Sequence, residues 1–196
     1  MKITSATFTK SAHTAAQLKG PSLPEIAFSG RSNVGKSSLI NCLLNRRGLA
    51  KTSSTPGRTQ AVNFIEVNGS FSFVDLPGYG YARVPEALRR KWGGLITAYL
   101  ESSRNLRLVI LIVDARRDPT DDEILFMRWL LERHIPALAV LTKIDKIGRN
   151  QRQQSLAAWR KTLGIETLLP FSALNGEGKD KIWKEIQGYL YEKTCL

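Results

Sequence analysis

The stretch Gly30-Arg31-Ser32-Asn33-Val34-Gly35-Lys36-Ser37 constrains this chain more than any other. Two glycines flank four residues, and Lys and Ser follow at once. An apolar run, EIAFS over 25–29, precedes the stretch, and a helical pattern from Gly35 to Arg46 follows it. Glycine allows turns that a side chain would obstruct. The N–H groups of such a loop converge on anionic oxygens at the positive end of the following helix. Lys36 adds a point charge toward outer phosphates, and Ser37 offers a hydroxyl to Mg²⁺. An ordinary glycine turn is the plain alternative, but the strand–loop–helix setting favours a phosphate loop.

The rest of the chain continues the alternation. NFIEV (63–67), FSFVD (71–75), RLVILIVDA (107–115), PALAVLTK (136–143) and LLPFSA (168–173) read as strands. Asn68-Gly69-Ser70 makes the first two of these an antiparallel hairpin. LVILIVD has no polar alternation, which marks a strand buried on both faces. Helices are expected at Glu86–Leu100, from Asp121-Asp122-Glu123 onward, at Asn150–Leu163 and at Gly178–Glu192. The three acids suit a helix N-terminus. Gly93-Gly94 should interrupt the helix begun at Glu86, at about 1 kcal/mol each relative to Ala. These alternations predict one α/β domain with a mostly parallel sheet. Residues 1–24 are weakly patterned and read as an N-terminal arm, either an edge strand or loose, ahead of a domain over 25–196.

Three further motifs fall at strand ends. Asp75-Leu76-Pro77-Gly78 places a carboxylate where it can hold a Mg²⁺-bound water, and Gly78 can present its N–H to a γ-phosphate. Thr142-Lys143-Ile144-Asp145 offers a carboxylate that can accept from both N1–H and the exocyclic amine of guanine. Adenine has no such donor pair, and an unpaired carboxylate is costly, so Asp145 selects GTP. Lys143 can lay its stem over the base. The backbone of Phe171-Ser172-Ala173 can bond the guanine carbonyl, a weak signal outside this order.

In this order and spacing the motifs resemble the Ras-like GTPases of the translation-factor group, over about residues 25–190. Pro56-Gly57-Arg58-Thr59-Gln60 with Asn63-Phe64, the run Asp75 to Ala82, and Thr142 in place of the more usual Asn resemble the EngB family of bacterial GTPases. That resemblance implies six strands in the order 2-3-1-4-5-6, with strand 2 antiparallel and about five helices around them. It adds Gly57, Arg58, Thr59, Gln60 and Ala61 to the nucleotide site. Thr59 becomes the switch threonine, with Thr55 a competitor, and joins Ser37 and Asp75 as a Mg²⁺ ligand. Lys36, Thr59 and Gly78 become the catalytic set. It further implies a role in assembly of the large ribosomal subunit, through its RNA, and a requirement in cell division and septation.

Ras-like proteins often place Gln after the Gly of Asp-x-x-Gly to orient the attacking water. Tyr79 stands there in this chain, so slow intrinsic hydrolysis is expected. Asn33 resembles its counterpart in GTPases that bind K⁺ beside the phosphates.

Charge bears on partners. The net charge is +12; residues 1–100 hold 13 Lys/Arg against 4 Asp/Glu (+9), and residues 101–196 hold 16 against 13 (+3). Such a field attracts polyanions. Arg83, Arg89, Arg90 and Lys91 follow the Asp-x-x-Gly motif and suit a second switch that touches RNA in one nucleotide state, or simply a solvated face. No apolar run approaches the roughly 20 residues of a membrane span. The first 25 residues lack the apolar core of a signal peptide, so a cytoplasmic monomer is expected. Three classes compete: a GTP-hydrolysing switch, an RNA- or ribosome-binding module with negligible hydrolysis, and a small-molecule kinase, which Thr142–Asp145 disfavours.

Overall fold

The uninterrupted apolar run near residue 110 lies at the centre of the sheet, covered on both faces. The computed structural model describes residues 1–19, 22–50, 61–78 and 86–191, with side chains described from residue 94 onward in the last span. The strands are β1 (Ala6–Ala12), β2 (Glu25–Gly30), β3 (Val62–Val67), β4 (Phe71–Asp75), β5 (Leu106–Asp114), β6 (Ala137–Thr142) and β7 (Leu168–Pro170). The α-helices are α1 (Lys36–Leu44), α2 (Glu86–Ser102), α3 (Asp121–Glu132), α4 (Arg149–Leu163) and α5 (Lys179–Tyr191).

The sheet order is β1-β3-β4-β2-β5-β6-β7. The six expected strands keep their expected order, and β3 is antiparallel to β4, as the hairpin signal requires. Asn68 and Gly69 both take positive φ, 52° and 62°, to turn that hairpin. The count of six is corrected to seven: β1 pairs antiparallel with β3 and closes that edge. Only Ala12 of β1 is buried, so no period-2 signal announced the strand. Asn68 fastens the chain just before it, accepting from the Thr4 N–H (2.8 Å) and Ser5 N–H (3.1 Å) and donating to Lys2 O (3.0 Å).

Helices cover both faces. Ile26 and Phe28 of β2 pack with Leu39, Leu43, Ile182 and Ile186 of α1 and α5. Ala27, Val74 and Val109 pack with Leu95, Ile96 and Tyr99 of α2, and Leu111 and Ala139 with Met127 and Trp159 of α3 and α4. The expected interruption at Gly93-Gly94 is corrected: α2 runs unbroken from Glu86 to Ser102. Burial of Leu95, Ile96, Tyr99 and Leu100 explains this. A buried aliphatic side chain gains about 1.5–3 kcal/mol, more than one glycine costs. The acids at 121–123 do begin a helix, where Glu123 closes a capping box on Thr120.

Candidate functional site

The parallel strands β2, β4, β5, β6 and β7 all end on the same side of the sheet, so their carboxyl ends assemble the four motifs. Open α/β sheets bind ligands at this side. Gly35 is the N-cap of α1 with φ 103°, a conformation that a Cβ would strain. Lys36 Nζ pairs with Asp75 Oδ1, joining the phosphate loop to the end of β4. A Cβ on Gly78 would meet Ser32 Oγ at 2.9 Å and Ser32 N at 3.3 Å. The Asp-x-x-Gly segment thus lies directly against the loop, with Gly78 facing Ser32.

The guanine motif is tied to the same loop. The Thr142 hydroxyl lies 2.5 Å from Val34 O and 2.9 Å from Val113 O, and shares its one hydrogen between them. Lys143 takes a left-handed turn, φ 60°, and its ammonium reaches Asn33 O and Asp114 Oδ2. Asp145 accepts from the Ser172 hydroxyl at 2.7 Å, and that bond holds its pKa below the usual carboxylate range. Ile144 and Phe171 are buried beneath, and Ala173 is exposed. Leu76 is buried and donates its N–H to Phe28 O at 3.0 Å. Ala61 is buried just before β3. Gly57, Arg58, Thr59 and Gln60, with Thr55 and Tyr79, lie outside the described residues.

Arg31 reaches from the loop to the start of α3. Its guanidinium reaches Thr120 Oγ1 at 3.4 Å and the buried Glu123 at 3.9 Å. The charge of Arg31 is therefore directed to the start of α3. Sequence reasoning missed those partners, and it missed Asp114. This carboxylate ends β5 and is fully buried, with Arg116 Nε at 3.0 Å, Arg116 Nη2 at 2.8 Å and Lys143 Nζ at 2.9 Å. Burial alone would raise its pKa, but the bonds from Arg116 and Lys143 prevail and hold it at about 2. The available signal was an Asp closing a wholly apolar run, the same position that Asp75 holds on β4.

A carboxylate, an ammonium, a hydroxyl-bearing residue and a glycine-capped helix N-terminus fit a nucleotide phosphate with a hard cation. Among the described residues, no helix is long and apolar enough to cross a membrane. Residues 25–143 match the family of 50S ribosome-binding GTPases. The probable GTP-binding protein EngB of Geobacter metallireducens is 50% identical over 192 residues, 97% of this chain and 94% of that protein. The corresponding protein of Geotalea daltonii is 53% identical over 190 residues, 96% and 92% of the two chains. The fold is similar to the crystal structure of a probable GTP-binding protein EngB, with TM-score 0.72, 24% identity, and coverage of 86% of this chain and 100% of that one.

Proposed function

Because the chain belongs to the EngB family of GTP-binding proteins and contains its GTPase domain, we propose that it hydrolyses GTP to GDP and phosphate with Mg²⁺ and acts as a switch in assembly of the large ribosomal subunit. The observation that carries the reading is the convergence of Lys36, Asp75, Gly78, Thr142, Lys143 and Asp145 at the carboxyl ends of the parallel strands. Residues 25–196 form the GTP-binding domain in this reading, and 1–24 the arm.

Water attacks the γ-phosphate in line. Lys36 and the loop N–H groups of 30–37 stabilise the charge that develops on its oxygens. The Gly78 N–H holds the γ-phosphate in place. Ser37, Thr59 and Asp75 would hold Mg²⁺, which when bound neutralises phosphate charge. Gly57, Arg58, Gln60 and Ala61 complete the nucleotide's surroundings. Asp145 reads the guanine edge, with Ser172 fixing the carboxylate. Tyr79 cannot orient water as Gln does, so the intrinsic rate is slow; Asn33 would hold a K⁺ ion, which when bound would add positive charge beside the phosphates. Equal turnover in K⁺ and Na⁺ buffers would remove the K⁺ role.

The working location is the cytoplasm, as a monomer, and loss of the protein impairs division and septation. The basic segment Arg83–Lys91 contacts ribosomal RNA in the GTP state. Tyr79 keeps a second reading in play, a nucleotide-dependent ribosome-binding module with negligible hydrolysis; single-turnover rates with and without subunit precursors separate the two. The primary test is co-sedimentation with large ribosomal subunits. Association with a non-hydrolysable GTP analogue and not with GDP is expected. No association in either state overturns the ribosomal role and leaves the GTPase.

A further inference from the structure

Helix α4 has the sequence RNQRQQSLAAWRKTL, with four cations and no carboxylate. The contrast with its neighbours is informative. α3 opens on Asp121, Asp122 and Glu123, and α5 carries Asp180 and Glu185. Trp159 and Leu163 bury the inner side of α4 against β5, β6 and β7. The outward side holds cations and amides in two stripes. Residues advance by about 100° per helical position, so Arg149, Gln153 and Arg160 share one line. Asn150, Gln154 and Lys161 share the next. All six are exposed.

The helix is fixed to a second basic segment. Ser155 Oγ donates to Ala115 O at 3.1 Å, and Trp159 Nε1 donates to Arg117 O at 3.2 Å. These bonds hold α4 beside Arg116 and Arg117, whose side chains are 45% and 46% exposed. Lys146, 59% exposed, stands just ahead of the helix. The acids nearby are largely engaged: Asp114 by Arg116 and Lys143, Asp145 by Ser172 and Lys146, and Glu177 by Arg152. Asp118, next to Arg117 in the chain, and Glu166, just past the end of α4, are exposed.

We propose that the outer face of α4, with the 115–117 segment, is a docking surface for structured RNA. This rests on the ribosomal reading above and names a surface for it, separate from Arg83–Lys91. Cations neutralise phosphates, and Asn and Gln side chains both donate to and accept from phosphates, 2′-hydroxyls and base edges. An anionic membrane would match the charge. A membrane-surface helix, however, buries Trp, Phe or Leu at the headgroups, and this face offers only Ala157 and Ala158.

The test is filter binding of the full-length protein to protein-free large-subunit ribosomal RNA over a range of salt. One variant combines Arg149→Glu, Arg160→Glu and Lys161→Glu. A control of equal charge combines Arg46→Glu, Lys181→Glu and Lys184→Glu on the opposite face of the sheet. The α4 variant should bind at least tenfold more weakly, with a log–log salt slope shallower by about 2–3, since each lost phosphate contact removes about 0.7–0.9. The control should change the slope by less than one contact. If the charge-reversed protein does not fold, the three Ala substitutions should still flatten the slope. An α4 variant equal to the control overturns the surface while leaving the ribosomal reading standing. Unsubstituted protein that binds neither this RNA nor large subunits overturns both. Loss of binding to phosphatidylglycerol vesicles with RNA binding intact assigns the face to membrane and overturns the proposal.

Discussion

Lys143 Nζ lies 2.9 Å from Asp114 Oδ2, so the residue expected to cover the guanine base is held from below by the end of a different strand. Arg116 grips the same carboxylate through two nitrogens, and Arg117 Nε lies 3.9 Å from it. Asp114→Asn should weaken binding of a fluorescent GDP analogue by about 10- to 100-fold, the equivalent of about 1.5–3 kcal/mol for a charge-assisted bond. With Lys143→Ala already present, the same change should cost less than threefold. Equal losses in both backgrounds would show that Asp114 does not act through Lys143.

The same carboxylate shapes acid stability. Arg116 and Lys143 hold its folded pKa at about 2, below the ordinary carboxylate value of 3.8. Its contribution is therefore complete above the unfolded value and fades as pH falls from there through about 2. The midpoint of thermal unfolding should fall more steeply between about pH 4 and pH 2 in the unsubstituted protein than in Asp114→Asn. Parallel curves would contradict this assignment.

Thr142→Val keeps the shape of β6 and deletes the hydroxyl that faces Val34 O and Val113 O. A stability loss of about 1–2 kcal/mol is expected from the buried carbonyls left unpaired. GDP should also dissociate faster, because the loop loses a tie to the guanine strand. Denaturant unfolding and stopped-flow release measure the two effects separately.

Asp145→Asn presents an amide donor where the carboxylate accepted. Xanthine carries a carbonyl in place of guanine's exocyclic amine. Competition binding should show preference moving from GDP toward xanthosine diphosphate by about tenfold or more, as expected when a buried hydrogen-bond partner is mismatched. Retained preference for GDP would remove Asp145 as the base reader.

Thr120→Ala removes both the N-cap of α3 and a contact of Arg31. Loss of such a cap costs about 1 kcal/mol. Because Arg31 belongs to the phosphate loop, nucleotide affinity should fall together with stability, by about threefold. A stability loss with unchanged affinity would confine Thr120 to the helix.

The phosphate loop, the Asp-x-x-Gly segment and the guanine motif were legible because each is short and its chemistry requires particular residue types at fixed spacing. The ties of Lys143 to Asp114 and of Arg31 to Thr120 and Glu123 were not, since each joins residues far apart along the chain. Lys143 is 29 residues from Asp114, and Arg31 is 89 from Thr120. The six core strands followed from apolar runs. β1 was legible only as one of two alternatives for residues 1–24, an edge strand or a loose arm, because an exposed edge strand lacks a strong period. The break expected at Gly93-Gly94 failed for the opposite reason: local propensity was read where burial of Leu95, Ile96 and Tyr99 decides.

The place of β1 also bears on the order of folding. It precedes the other six described strands along the chain, and its partner β3 comes some 55 residues later, as in the bond from Thr9 to Phe64 O. Closing that contact needs a large loop, and non-local pairing of this kind comes late. The strand waits with little apolar surface to expose, Phe8 being its one large apolar side chain. An early element so polar runs little risk of misassembly during synthesis, and the β3–β4 hairpin can form before its outer neighbour docks.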